Sequence, residues 1–310
     1  SDTVDVEVVQ SIILPEVDAG PMGLLTCEMT QYTLDGTGLH VDRGSLNRAI
    51  KREAVDAGVI FIHDVQLSSL VHSNDEWNVE FTQHEALYTA NARMVVDASG
   101  RSNIVTRKLG LKRTNVDRAV AIHMQCSGAS ENQPSQLPNY QGTTLIEAVE
   151  NGWWYRAPLP NGKYVISFHT DSDLPCTRIM QTPNDWLAAL ADTDLIVSGL
   201  ELPSEGHFDL SVCAANSRFP TQCAGSAWLA IGDAALAFDP LSSQGMYNAL
   251  TTALLAKECL YESLAGNARA TAYYAQSLSR VCTAYQRNLA EFYQAEKRWP
   301  ESLFWQRRCA

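Results

Sequence analysis

The chain opens on an alternation of apolar and acidic positions. Val4, Val6 and Val8 are separated by Asp5 and Glu7, the period-two pattern of a half-exposed strand. Residues 11–23 then read as an irregular connection. From Ser45 the period lengthens to that of a helix: Ser45 reads as the N-cap, Leu46, Ala49, Ile50, Ala54 and Ala57 share one face, and Gly58 supplies the stop. Val59, Ile60, Phe61 and Ile62 follow as a short buried strand. Residues 65–70, 77–81 and 88–92 have the pattern of a three-stranded meander, with Ser73, Asn74 and Asp75 turning the first strand into the second. Residues 93–97 form a further apolar strand that ends in the small residues Ala98, Ser99 and Gly100.

From about 111 to 211 the pattern changes. Strand-like pieces at 119–125, 143–148 and 164–169 alternate with turns rich in Pro and Gly, and 184–191 is the one helix expected there. The reading is an α/β chain with a mostly antiparallel second domain inserted, the segments being 1–110, 111–212 and 213–310. After the insert, 227–231 reads as a buried strand and 243–264 as a helix carrying Met246, Ala249, Leu250, Ala253 and Leu254. A long last helix follows, in which Tyr274, Leu278, Val281, Tyr285, Leu289 and Phe292 recur at steps of three and four and form one apolar stripe.

Composition narrows the partners. The 310 residues are 45% hydrophobic and 19% charged, which is a globular balance. A formal charge of −12 and a pI near 5.0 disfavour nucleic acid and anionic membrane as general partners. No apolar run approaches the roughly 18 residues of a membrane span; the richest, 227–241, is broken by Asp233 and Asp239. The first residues lack the basic and apolar regions of a secretory signal, so a cytoplasmic location is expected. The eight cysteines contain no C-x-x-C pair. They read as small core residues in a reducing compartment, with no metal site expected.

The chemistry concentrates after Trp228. An apolar strand delivers Gly232 and Asp233 at its C-terminal end, where α/β sheets place ligands. A loop stiffened by Pro240 leads to Ser243, Gln244 and Gly245, which open a helix. The Asp can accept a hydrogen bond from a ribose hydroxyl, and the helix start offers free N–H groups and partial positive charge to a phosphate or an anionic ring. Gly245 permits close backbone approach. The alternative is an ordinary strand–loop–helix connection carrying a surface Asp.

This stretch, from Gly232 to Gly245, resembles the second flavin-binding motif of FAD-dependent monooxygenases and flavin-dependent halogenases. The resemblance implies that Gly232 and Asp233 meet the ribityl–pyrophosphate region of FAD, and that Pro240, Gln244 and Gly245 lie beside the isoalloxazine. Residues 39–43 are similar to the family's entry to a helix whose Arg, here Arg43, lies near the cofactor. Residues 96–102, followed by Arg107, resemble its strand-and-turn motif, which adds Asp97 and Arg107 to the implied cofactor residues. Residues 298–308 resemble a C-terminal signature of halogenase-like members. In the middle of the chain, Trp153, Tyr155 and Pro158 occupy the position of the halogenase W-x-W-x-I-P motif, but with Tyr for the second Trp and Ala157 for the Ile. That form is closer to monooxygenase-like relatives, including flavoproteins that modify tryptophan in quinone cofactor biogenesis. It implies a substrate pocket at Trp153, Tyr155 and Pro158, the alternative being a cross-strand aromatic cluster.

The resemblance as a whole implies a para-hydroxybenzoate hydroxylase-like fold: a discontinuous FAD-binding domain with an inserted, mostly antiparallel β substrate domain. It implies an FAD-dependent monooxygenase that hydroxylates an aromatic small molecule, indole-like, or a peptidyl tryptophan, through a flavin hydroperoxide. Electrons would come from NAD(P)H or a separate flavin reductase. The alternatives are a flavin-dependent halogenase and a non-catalytic fragment unable to hold FAD. No catalytic side chain is implied, and the halogenase Lys is not identifiable. The family's first G-x-G-x-x-G unit is not found either, since the glycines at 18–23 and 35–38 have the wrong spacing. The expectation is therefore weak FAD binding and self-association by residues 1–310, whether the unit lies upstream or has been lost.

Overall fold

A computed structural model describes residues 6–8, 39–127, 143–200, 202 and 208–309. The connection expected at 11–23 and the glycines at 18–23 and 35–38 lie outside the described residues. The chain divides into two compact units. One comprises Ser1–Ile60, Val120–Ala214 and Gln294–Ala310, the other Phe61–Ala119 and Ala215–Tyr293. Residues 294–310, grouped in the sequence reading with 213–293, thus cluster with the antiparallel sheet.

The first unit is built on a five-stranded sheet in the order Ser211–Ala214, Ala119–Ser127, Lys163–Asp171, Gly152–Leu159, Leu145–Val149. Strand Gly152–Leu159 pairs antiparallel with both neighbours, Trp153 opposite His169 and Tyr155 opposite Ser167. Gly152 is required for this pairing, because a Cβ there would sit 2.1 Å from the His169 carbonyl oxygen. Side chains alternate across the sheet. Trp154 lies on the face that packs with Ile122, Met124, Ile166 and Phe168 against Trp186, Leu187 and Leu190 of helix Pro183–Ala191. Two buried charged residues on this unit hold the loop after that helix. Glu147 accepts from the backbone N–H groups of Asp194, Leu195 and Ile196, and Arg156 donates to the carbonyls of Ile196 and Ser198.

Residues 294–309 are tied to the edge and end of this sheet. Trp305 Nε1 donates to the Val149 carbonyl at 3.0 Å, and Arg307 and Arg308 both bind the buried Asp171 carboxylate. The first helix departs from the sequence reading. It spans Arg43–Asp56, its N-cap is Asp42, and the Asp42 carboxylate accepts from Ser45 N–H at 2.6 Å. Asp and Ser are equivalent as caps, and Asp42 wins because its side chain reaches the third helical N–H. None of its residues is buried. The expected strand at 59–62 does not form, and Ile60 is 86% exposed. An extended run gains its backbone hydrogen bonds only from a neighbouring strand, and none among the described residues pairs with it.

The second unit carries the meander Val65–Ser73, Glu76–Gln83, Ala86–Ala92. Both hairpins turn on two residues with positive φ, Asn74 and Asp75 (52° and 64°), then His84 and Glu85 (47° and 66°). The first has the polar residues that tolerate this backbone, whereas the second has no such signature. Beside the meander, Trp228–Ala230 pairs parallel with Val95–Asp97 and antiparallel with Ala224–Gly225. Helices Gly245–Leu264 and Ala270–Ala295 complete the unit. The core joins Trp77, Leu229, Ala234, Phe238, Ala256, Tyr274, Leu278 and Tyr285. The stripe on the last helix is buried at Tyr274, Leu278 and Tyr285, while Val281 and Phe292 of the expected stripe are exposed. Tyr293 takes over at the C-terminal end, drawn round the helix by a hydrogen bond described below.

Candidate functional site

The parallel strands Val95–Asp97 and Trp228–Ala230 deliver two turns side by side. In the first, Asp97 is 1% exposed and holds its own turn. One carboxylate oxygen accepts from the Ser99 N–H and hydroxyl, the other from the N–H groups of Val105 and Thr106. Asp97, expected at the cofactor, is therefore a cap of helix Ile104–Lys108: it takes the Val105 and Thr106 N–H groups, while Ser99 Oγ accepts from Ile104 N–H. Arg107 is exposed on that helix and joins none of the bonds below.

The second turn begins at Gly232. Its φ of +55° is a left-handed value that favours glycine, and a Cβ would sit 3.5 Å from Ala249 Cβ on helix Gly245–Leu264. Its N–H donates to Thr252 Oγ1 at 2.8 Å, and Asn248 donates to the Leu236 carbonyl, so this helix holds the loop it follows. Asp233 is partly exposed and paired with Arg101 Nε at 3.5 Å. Arg101 also donates to the carbonyls of Phe238, at 2.9 Å, and Asn216, while Asn103, left-handed and buried, donates to the Ala234 carbonyl. The two turns are thus one bonded assembly.

Asp239 anchors the far side of the loop. Its N–H donates to the Tyr285 hydroxyl at 2.7 Å, its Oδ1 accepts from Leu241 N–H, and its Oδ2 accepts from the Tyr293 hydroxyl at 2.8 Å. Tyr285 also shares a hydrogen bond with Ser217 Oγ. Burial, reinforced by the Asp239 carboxylate, pushes the Tyr285 phenol well above its ordinary value, so it stays protonated. Pro240 then starts a short turn, Ser243 takes a left-handed φ of 52°, and the chain enters helix Gly245–Leu264. Gln244 is the N-cap but makes no side-chain cap bond. A Cβ on exposed Gly245 would meet nothing within 4 Å. The guanidiniums of Arg101, Arg113 and Arg218 crowd the same unit: burial first, then Arg113 and Arg101, lower the Arg218 value.

The other group of expected residues lies on the five-stranded sheet. Trp153 and His169 stack in parallel, with centroids 3.8 Å apart and planes within 3°, and Tyr155 meets His169 edge-on at 6.4 Å. Ser167 Oγ and His169 Nε2 are 2.8 Å apart. Burial, with a smaller push from His123, lowers His169 to about 3, so the imidazole is neutral. Burial also raises the Tyr155 phenol, partly offset by a hydrogen bond with Thr144. Pro158, expected in the same pocket, lies opposite Tyr164 on the other face. Strand alternation separates it from Trp153 and Tyr155 by an odd step.

Arg43 is exposed in the first turn of its helix, within the unit that does not contain Asp233. The described residues contain no group of three or more His, Cys, Asp or Glu arranged for a metal, and no helix long and apolar enough to cross a membrane. Of the cysteines, Cys126 and Cys259 are buried, while Cys213 and Cys309 are exposed rather than in the core. Spacing alone missed Arg101, Asn103, Asp239, Tyr285 and the Ser167–His169 pair. The first three stand inside or beside the recognised turns, but their partners are set by tertiary contacts.

A family model, tryptophan halogenase, matches residues 27–310. The chain belongs to the tryptophan halogenase family. Within and around that family, LodB of Marinomonas mediterranea, an FAD-dependent oxidoreductase by name, is 30% identical over 91% of this chain and 74% of its own. A flavin-dependent halogenase of Armillaria mellea is 27% identical over 84% of this chain and 56% of its own. Among solved structures, the flavin-dependent halogenase CmlS superposes with a TM-score of 0.76 at 21% identity, over 94% of this chain and 52% of that one. The peptidyl tryptophan dihydroxylase QhpG superposes with a TM-score of 0.68 at 22% identity, over 87% of this chain and 59% of that one. The fold is therefore that of the flavin-dependent halogenases, a mixed helix and strand architecture with antiparallel sheets. The chain spans 52–74% of the length of these four relatives.

Proposed function

We propose that this chain binds FAD at the Gly232–Gly245 turn and serves an oxidoreductase, a monooxygenase that hydroxylates an aromatic substrate. The observation that carries the cofactor reading is the start of helix Gly245–Leu264: no side chain caps it, Gly245 is exposed, and space for a Cβ is open beside it. A helix start of this kind suits an anionic ring or phosphate. Arg101, Arg113 and Arg218 supply local positive charge in a chain whose net charge is −12. The residues present therefore fit an anionic dinucleotide.

In this reading Asp233, oriented by Arg101, accepts from a hydroxyl of the cofactor's sugar chain. The N–H groups at Gly245 meet its flavin ring, while Pro240 and Gln244 set the course of the loop. Asn103 and Asp239 hold that loop in shape, and Asp97 holds the neighbouring turn, without touching the cofactor. Bound FAD supplies the two-electron activation of dioxygen, with NAD(P)H or a separate flavin reductase as the electron source. On the sheet, the face assigned to a flat aromatic ring is the one that carries buried Trp153 and half-buried Tyr155. Arg43 and Arg107 stand outside this set.

Hydroxylation is favoured over halogenation by Tyr155 and Ala157, which depart from the halogenase motif, and is in keeping with the QhpG likeness. Halogenation is the second reading, favoured by the family's name and the CmlS likeness. Turnover of an indole substrate in the presence of bromide distinguishes them by product mass. Added oxygen is expected; a brominated product that depends on bromide reverses the assignment.

A further inference from the structure

Residues 298–308, whose pattern resembles a C-terminal signature of the family, run into helix Leu303–Cys309, and the flavin reading uses none of them. They border an open cavity of about 310 Å³, lined by Trp299, Pro300, Trp305 and Gln306 together with Glu296 and Lys297. That volume lies at the lower end of small-molecule sites. Its aromatic walls are fixed from outside the cavity. Trp305 Nε1 donates to the Val149 carbonyl at 3.0 Å. Trp299 stacks with Trp305, centroids 6.1 Å apart and planes within 19°, and the Arg298 guanidinium lies 4.2 Å from the Trp299 ring centroid. Arg298 is held in turn by the buried Glu296 carboxylate at 2.6 Å and by the Ala148 carbonyl at 3.3 Å. Gln306 Nε2 donates to the Pro300 carbonyl at 3.0 Å, which ties the loop to the helix. Both indoles are therefore in place before a ligand arrives, which lowers the cost of binding. The two charges on the lining are not equivalent. Glu296 is engaged by Arg298, whereas Lys297 is exposed and makes no ion pair among the described residues. The cavity thus offers aromatic surface and one unneutralised cation.

We propose that this cavity is a binding site for a flat aromatic ring that carries a carboxylate, with the ring against Trp299, Pro300 and Trp305 and the carboxylate on the Lys297 ammonium. Stacked or edge-on contact with tryptophan gives an aromatic ring more than its buried area alone. One positive charge matches one negative charge, so a neutral ring of the same shape gains the apolar contact and nothing from Lys297. The site goes beyond the flavin reading and does not depend on it. All its parts lie in the unit built on the five-stranded sheet, whereas the Asp233 turn lies in the other.

Calorimetric titration of the full chain at low salt compares indole-3-acetate with indole-3-acetamide, which has the same ring and nearly the same shape but no charge. Wild type is expected to bind the acetate about fivefold more tightly, as an ion pair at an open rim provides. The preference is expected to shrink as salt is raised. Lys297→Gln is expected to bind the two equally, at the wild-type affinity for the acetamide. Trp299→Ala is expected to weaken both about tenfold, with folding of both variants followed by circular dichroism. Because Lys297 is exposed, its variant keeps the test decisive even where Trp299→Ala does not fold. Wild type that binds neither compound, wild type without a preference, a preference that survives Lys297→Gln, or affinities that a folded Trp299→Ala leaves unchanged each overturn the proposal. FAD is absent from this titration, so a chain that takes up no FAD overturns the flavin reading alone.

Discussion

A carboxylate at the end of a strand can be enclosed by its own turn or stand partly open, and Asp97 and Asp233 differ in this way. Asp97 is buried and accepts from five backbone and hydroxyl donors of its own segment, which engage both of its oxygens. Asp233 is partly exposed and paired with the Arg101 guanidinium. Both stand after apolar strands and before small residues, so local sequence does not separate them; the partners do. His169 shows the same limit, because an ordinary-looking strand His becomes a neutral one only through its burial in the fold, with a smaller push from His123. Its titration gives a test. The ordinary imidazole value is near 6.5, whereas burial lowers it to about 3 in the folded chain. Above pH 6.5 the group is neutral in both states and contributes no slope. Below it the unfolded chain binds a proton that the folded chain refuses, so stability falls by about 1.4 kcal/mol per pH unit. Denaturation curves at pH 7 and pH 5 are expected to show wild type losing about 2 kcal/mol more than His169→Gln. Equal losses contradict the buried neutral state.

At the scale of elements, the turn after Trp228–Ala230 owes its shape to two helices. Helix Gly245–Leu264 fixes its near side through Asn248 and Thr252, and helix Ala270–Ala295 fixes its far side through Tyr285 and Tyr293. The apolar period made the last helix legible as a packing element. It gave no sign that two tyrosines on it also hold Asp239, because a hydroxyl partner has no period. The meander was legible for a related reason, since Asn74 and Asp75 carry their turn in their own chemistry. The stretch at 59–62 misread as a strand because apolar runs specify burial only where a partner element exists. Tyr285→Phe removes the acceptor of the Asp239 N–H and leaves that buried donor unmet, at a cost of about 1–3 kcal/mol. Calorimetry is expected to show Tm lowered by several degrees, with FAD affinity reduced as the loop loosens. An unchanged Tm contradicts the anchoring role.

Across the whole molecule, the chain builds each unit from discontinuous segments, with the Asp233 turn in one and the aromatic sheet face in the other. The ordered set of motifs made the family legible, since several short resemblances in sequence order are more specific than any one. The assignment of residues to roles was less legible. Asp97 proved to be a cap, Pro158 lies on the opposite face from Trp153, and Arg101 emerged only once the two turns lay together. The claim on which the functional reading depends is that the Asp233 turn holds the cofactor. The direct measurement is a flavin titration of wild type and Asp233→Ala, taken as the ratio of their Kd values for FAD. Loss of one charge-assisted hydrogen bond, about 1.5–3 kcal/mol, is expected to weaken binding by about ten- to a hundredfold. Equal Kd values for the two proteins would place the cofactor elsewhere and contradict the site.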